Sequence, residues 1–347
     1  MERTTGMRKR NVAKAVVVGA ALALVVPGIA YASTTATVAT PGTTSSMNPG
    51  AGALLKTDAQ CSSGLISGGG VQVTGSGTTM QVDGIHVMET EPSTNGTAAA
   101  SNGATDPTFW LGYGGTGGQG GGNYTVQPFG VCFTNTTVNH TQVVLHSVSG
   151  PTTSGGMTST TATCPANTRL LGGGAQSTLA SNKSVKAIAS YPSNSSGSAA
   201  ANGSTNPTSW SAVALNGGMT GTGNTTAAFA LCSGTGINVS GITVTVEHTN
   251  VVGPTTASST ATATTSTCGT SGNMISGGAS ISGSDPTTGS FTAPGSDGDH
   301  LDGDYPSGAT GTATTNGSAT TNWTAIGHTG GVASPNTDTD VWGLCMN

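Results

Sequence analysis

Beyond a first apolar run, hydrophobic residues come in short bursts, interleaved or flanked by Thr, Ser and Gly. Thr34-Thr35-Ala36-Thr37-Val38, Ile242-Thr243-Val244-Thr245-Val246 and Trp210-Ser211-Ala212-Val213 follow the period of two that turns one set of side chains to a core and the other to water. β-Branched residues dominate several bursts, and Gly, Pro, Asn and Ser separate them, as expected of strands and turns. No stretch after residue 32 places apolar residues at helical spacing for long enough to make an amphipathic helix. The pattern predicts an all-β chain.

The bursts recur as a unit. Cys61, Pro92, Trp110, Phe129 and Cys132 return as Cys164, Pro192, Trp210, Phe229 and Cys232, and again as Cys268, Pro306, Trp323, Trp342 and Cys345. The interval from the tryptophan to the second cysteine is 22 residues in all three units. Each unit opens on a β-branched strand before its first cysteine and closes just after its second. The expected organisation is a signal over 1–32 and β repeats over 33–138, 139–239 and 240–347. The fold class expected is three tandem disulfide-framed antiparallel β-sandwich-like domains.

Within a unit, two apolar residues run into paired glycines at Leu65-Ile66-Ser67-Gly68-Gly69, Leu170-Leu171-Gly172-Gly173 and Met274-Ile275-Ser276-Gly277-Gly278. This reads as a buried strand that bulges or meets another backbone closely. With no Gly-Lys-Thr and no following helix, a phosphate loop is the weaker reading. The Ala/Ser/Asn/Gly stretch after each Pro-Ser corner reads as loop or irregular edge.

The first apolar run, Ala15 to Val26, follows Arg3, Arg8, Lys9, Arg10 and Lys14 and precedes Ala30-Tyr31-Ala32, the layout of an export signal. Its removal leaves four basic and thirteen acidic residues, a net charge of −9. So few cations exclude a phosphate-backbone grip, so nucleic acid is not an expected partner, nor is a membrane after signal cleavage. Charged residues make up only 7% of the chain, and hydroxyls and amides supply the surface, which suits a secreted, extracellular or cell-surface protein. Six cysteines in an exported chain imply disulfides, and the repeat favours Cys61–Cys132, Cys164–Cys232 and Cys268–Cys345. Each would close a loop of about 70 residues, worth roughly 4 kcal/mol on the chain-entropy model.

The frame resembles exported actinobacterial proteins in which a Cys, a Leu-Gly-Gly-like turn, a Tyr-Pro-Ser, a Trp and an aromatic-x-x-Cys recur. The second unit carries it most fully, from Cys164 through Leu170-Leu171-Gly172-Gly173, Tyr191-Pro192-Ser193 and Trp210 to Phe229-Ala230-Leu231-Cys232. Unit one departs with Glu91 for the tyrosine, and unit three has a longer acidic loop. The resemblance implies an exported repeat protein and no mechanism.

Candidate chemistry is sparse. There is no Gly-x-Ser-x-Gly elbow in a strand–helix setting and no His-Glu-x-x-His, and disulfides consume every cysteine. His86, His140, His146, His248, His300 and His328 are scattered, and the plain reading is exposed strand histidines. Trp110, Trp210 and Trp323 are either core plugs on each disulfide or platforms for sugar rings, and their fixed distance to a cysteine favours the core. The acidic loop places Asp297, Asp299, Asp302 and Asp304 at short spacings among glycines, so it is either a solvated loop or a calcium site, calcium being the only cofactor suggested. The expected function is a non-enzymatic structural or adhesive β-repeat protein, with a carbohydrate-binding protein as the alternative and a secreted enzyme third. Expected partners are cell-envelope or extracellular polysaccharide, or the chain itself by self-association.

Overall fold

The computed structural model describes residues 34–40, 44–46, 52–75, 84–117, 122–178, 184–218, 220–269 and 272–347. The signal expected over 1–32 lies outside them. Among the described residues there is no helix, and none is long and apolar enough to cross a membrane.

Repeat one supplies β1 (Thr34–Ala39), β2 (Thr44–Ser46), β3 (Leu54–Gln60), β4 (Leu65–Gly75), β5 (Ile85–Ser93), β6 (Phe109–Thr116) and β7 (Tyr124–Asn135). Repeat two supplies β8 (Thr141–Ser149), β9 (Met157–Thr163), β10 (Leu170–Thr178), β11 (Val185–Ser193), β12 (Ser209–Asn216) and β13 (Thr225–Ser233). Repeat three supplies β14 (Val244–Val252), β15 (Thr260–Thr264), β16 (Asn273–Ser282), β17 (His300–Ser307), β18 (Asn322–His328) and β19 (Asp338–Met346). All pairings are antiparallel.

Each repeat is two three-stranded layers, and each layer continues into a neighbouring repeat. The sheet orders are β1-β7-β4-β17-β18-β15, β3-β6-β5-β10-β13-β8 and β14-β19-β16-β11-β12-β9, with β2 added on β7. Repeats one and two therefore share a sheet, as do two and three, and three and one. The result is a closed ring with a threefold sequence logic. The seams are narrow: β5 meets β10 at Thr90 and Ala175, and β11 meets β16 at Ala189–Ser280 and Ser190–Ala279. β17 meets β4 at Gly303–Gln72 and Asp304–Val71.

The paired glycines explain how the layers meet. Ser67, Leu171 and Ile275 are the extra residues of β-bulges in β4, β10 and β16. Two residues on, a Cβ at Gly69, Gly173 or Gly277 would run into Trp110, Trp210 or Trp323 of the facing layer. The next glycine in each repeat, Gly70, Gly174 or Gly278, has no room for a Cβ beside the backbone carbonyl of Asp304, Thr90 or Ser190 across the seam. One glycine seats the tryptophan and its neighbour admits the adjoining repeat. Both halves of the sequence reading, bulge and close approach, are present.

Cys61–Cys132, Cys164–Cys232 and Cys268–Cys345 join the two layers of each repeat, with Cα separations of 5.6, 5.7 and 5.5 Å. Three disulfides belong to an oxidising compartment. The Ala/Ser/Asn/Gly loops cover sheet edges. Gly103 and Asp106 donate to the carbonyls of Val143 and Thr141 on β8, and Gly203 and Asn206 to those of Val246 and Val244 on β14. Gly317 donates to Val38 on β1, so the same device closes the ring from repeat three to repeat one.

Candidate functional site

The tryptophans carry no exposed surface. Each indole N–H donates to the residue two before the proline: Trp110 to Thr90 Oγ1 at 2.9 Å, Trp210 to Ser190 Oγ at 2.9 Å and Trp323 to Asp304 Oδ1 at 2.5 Å. A sugar platform needs an open ring face, which none of the three offers. The hydrogen bond satisfies the one polar group each ring buries.

The four aspartates of the acidic loop go to separate partners. Asp297 is exposed and accepts from Ser154 Oγ at 3.2 Å. Asp299 is buried under donors from Ser334, Thr337 and the Ser296 amide. Asp304 receives the Trp323 indole, and burial pushes its carboxyl up to about 8 against that bond. Asp302 alone lies in a group of potential ligating atoms, and its companions are histidines.

That group sits where β17 and β18 begin and end. His300 and His328 face each other across the β17–β18 pair, with ring centroids 4.9 Å apart. Asp302 is the extra residue of a bulge between Leu301 and Gly303, and it lies 2.8 Å from His328 Nδ1 and 3.4 Å from His300 Nε2. Burial favours the protonated Asp302, but the hydrogen bond with His328 and the imidazoles of His300 and His328 beside the carboxylate outweigh it and hold the carboxyl below its usual value. His86 lies 5.8 Å from His300, and burial first, then Lys186 and His300, drive its pKa well below the ordinary range. Lys186 donates to the Asp297 carbonyl at 2.9 Å, and burial brings its ammonium down to about 8. His86, His300 and His328 are thus buried and the His248 side chain is only 6% exposed, against the reading of exposed strand histidines; His146 is exposed as that reading has it.

A second group, His248, Asp285 and Asp340, is already satisfied at its centre. Asp340 accepts from Ser280, Ser282, Asn250 and His248 at 3.0–3.2 Å. At the seam of repeats one and two, Gln176 Nε2 donates to Glu89 at 3.3 Å and Glu91 at 3.2 Å. Burial raises Glu89 to about 7 and, with the charge of Glu89, carries Glu91 well above the carboxylate range. The sequence marked Glu91 only as a departure from tyrosine.

One surface groove, of about 530 Å³, lies where β8, β9 and the loop after Ser193 meet residues 286–291 of repeat three. Hydroxyls of Ser159, Thr160, Thr161, Ser196, Ser198, Ser211 and Ser290 line it, with His146, Tyr191 and Phe291. Its lining contains no Asp, Glu, Lys or Arg. His146 Nδ1 is 2.7 Å from Thr160 Oγ1, but no carboxylate in the lining orients the imidazole as a catalytic base requires. Phe291 lies parallel to Tyr191 at 6.1 Å, and Tyr191 stacks on Trp342 at 5.2 Å. The aromatic at the groove is therefore Phe291 over Tyr191, which no spacing rule in the sequence singled out.

No protein-family model matches the chain, and no curated protein is significantly similar to it.

Proposed function

We propose that this is a non-enzymatic exported protein of the extracellular space or cell surface, with an adhesive role exercised by holding a neutral polysaccharide. The groove carries the reading. Its hydroxyl lining, lack of charge and half-buried Phe291 suit a ligand that is itself neutral, hydroxylated and partly apolar on its ring faces. The closed ring, three disulfides and covered edges favour a rigid scaffold over a mobile catalyst. The polysaccharide is of the cell envelope or the surrounding matrix.

The test is affinity electrophoresis of the signal-free protein through gels containing neutral and anionic polysaccharides. At least one neutral polymer should retard it, and Phe291→Ala should weaken retention about tenfold or more, equivalent to ~1.4 kcal/mol. Val332→Ala, at an exposed apolar residue outside the groove lining, should leave retention unchanged. Migration unaffected by every neutral polymer would sink the proposal.

A further inference from the structure

The buried pair at the heart of the His300 cluster is electrostatically incomplete. His300 is 1% exposed, and its Nδ1 lies 2.8 Å from the Gly298 carbonyl. A carbonyl only accepts, so Nδ1 carries a proton and Nε2 is left to face Asp302 Oδ1 at 3.4 Å. Neither His300 Nε2 nor Asp302 Oδ1 has a hydrogen-bond partner. A lone pair and a carboxylate oxygen pointed at one another in a buried site need a cation between them. That cation is either a proton on His300 or a metal ion.

Three features favour the metal. Two ligand atoms, each about 2.1 Å from a tetrahedral ion, are about 3.4 Å apart, which is the spacing of this pair. His328 adds a third ligand, and the ligating atoms of all three residues lie within 4.8 Å of one another. The Nδ1–H of His300 on a backbone carbonyl is the outer hydrogen bond that fixes the orientation of metal-binding imidazoles. Asp302 keeps 16% of its side chain exposed, giving an ion a way in.

We propose that His300, Asp302 and His328 bind one divalent transition-metal ion, of the zinc class. Two imidazoles and one carboxylate select such an ion over calcium, which takes oxygen ligands. The site is confined to repeat three. Strand register puts His86, Met88 and Gly115 at its positions in repeat one, and Lys186, Ile188 and Leu215 in repeat two.

The test uses the whole signal-free protein, stripped with chelator and titrated with cobalt(II), whose ligand-field absorption reports nitrogen and oxygen ligands. One cobalt per chain should bind, zinc should displace it, and millimolar calcium should not. Asp302→Asn and His328→Gln should each weaken binding by at least about 100-fold, beyond the 10–100-fold typical of losing an outer-shell partner. His248→Gln, in the saturated second group, should leave binding unchanged. If His328→Gln fails to fold, ring-nitrogen chemical shifts of the wild type with and without zinc decide the matter, since metal on His300 moves Nε2. The proposal falls if the stripped protein takes up no cobalt. It falls equally if uptake survives Asp302→Asn or is lost in His248→Gln, or if His300 stays an imidazolium unmoved by zinc.

Discussion

The tryptophan cage and the strand triplet at the start of β17 are each built three times, with opposite results. In the cage, Trp110, Trp210 and Trp323 pack on Gly69, Gly173 and Gly277 and donate to Thr90, Ser190 and Asp304. Geometry and hydrogen bond repeat, and only the acceptor changes. At the triplet, the same backbone carries His86-Met88-Gly115, Lys186-Ile188-Leu215 and His300-Asp302-His328. The first puts His86 Nε2 2.8 Å from Met88 Sδ, the second buries a lysine, and the third gathers two imidazoles around a carboxylate. The cage holds two layers together in every repeat, so packing leaves it no latitude. The triplets require only that the polar groups be compensated, and they diverge.

The largest effect should come from breaking the cage. Trp210→Ala removes a fully buried indole and leaves Gly173 facing a void, at a cost of roughly 3–5 kcal/mol by chemical denaturation. Because the layers of repeat two belong to sheets shared with repeats one and three, unfolding should remain one transition. A separate early transition, confined to repeat two, would show that the ring does not couple the repeats.

Opening the frame covalently should cost slightly less. Replacing Cys164 and Cys232 by serine frees a bridge that spans 68 residues of sequence, and should lower stability by about 2–4 kcal/mol. An unchanged denaturation midpoint would mean that the layers are held by the cage alone.

What could be read along the chain follows the same division. Cysteine pairing, the Trp interval and the bulged glycines were legible because each is a local consequence of packing that recurs in register. The exchange of layers was not legible, because alternation fixes which face of β5 is buried but not whether β6 or β10 lies at each edge. The histidine cluster was legible only in part. Asp302 was counted among loop carboxylates, while His300 and His328, far apart in sequence, looked unrelated. Only the β17–β18 register sets them opposite each other. The period-two pair His300-x-Asp302 was the available signal, since both residues fall on one strand face.

A pH series sharpens the contrast at the seam, where Glu89 and Glu91 stand in repeat one and Ala189 and Tyr191 in repeat two. In the folded chain Glu89 titrates at about 7, against 4.5 when unfolded. Between those values the unfolded chain has released a proton that the fold retains, so stability falls as pH rises, by up to about 1.4 kcal/mol per unit for that proton. Glu91, raised further, extends the decline to higher pH. Glu89→Gln with Glu91→Gln should flatten the curve above pH 4.5. Because the depressed His86 pulls the wild-type curve the opposite way, the deciding readout is the difference between wild type and the double variant. A difference that does not change with pH through this window would mean that both carboxylates are ionised in the fold.

The smallest effect tests the lysine triplet. Lys186 is 5% exposed and titrates at about 8 in the fold against 10.5 when unfolded. A depressed ammonium means that the fold holds fewer protons than the unfolded chain between those values. Stability should therefore rise as pH goes from 8 to 10.5, with the full penalty present below 8. Lys186→Met keeps most of the stem's volume, removes the buried charge and leaves only the Asp297 carbonyl without its donor. The variant should be more stable than wild type at pH 7 by about 1 kcal/mol, and the advantage should vanish by pH 10.5. It should also raise the His86 pKa, because Lys186 is the largest neighbouring charge acting on that ring. Proton chemical shifts of His86 against pH, recorded beside thermal unfolding of both proteins, give the two readouts. A destabilised Lys186→Met at pH 7, with the His86 titration unmoved, would make the lysine a required contact of the ring and not a tolerated charge at a permissive position.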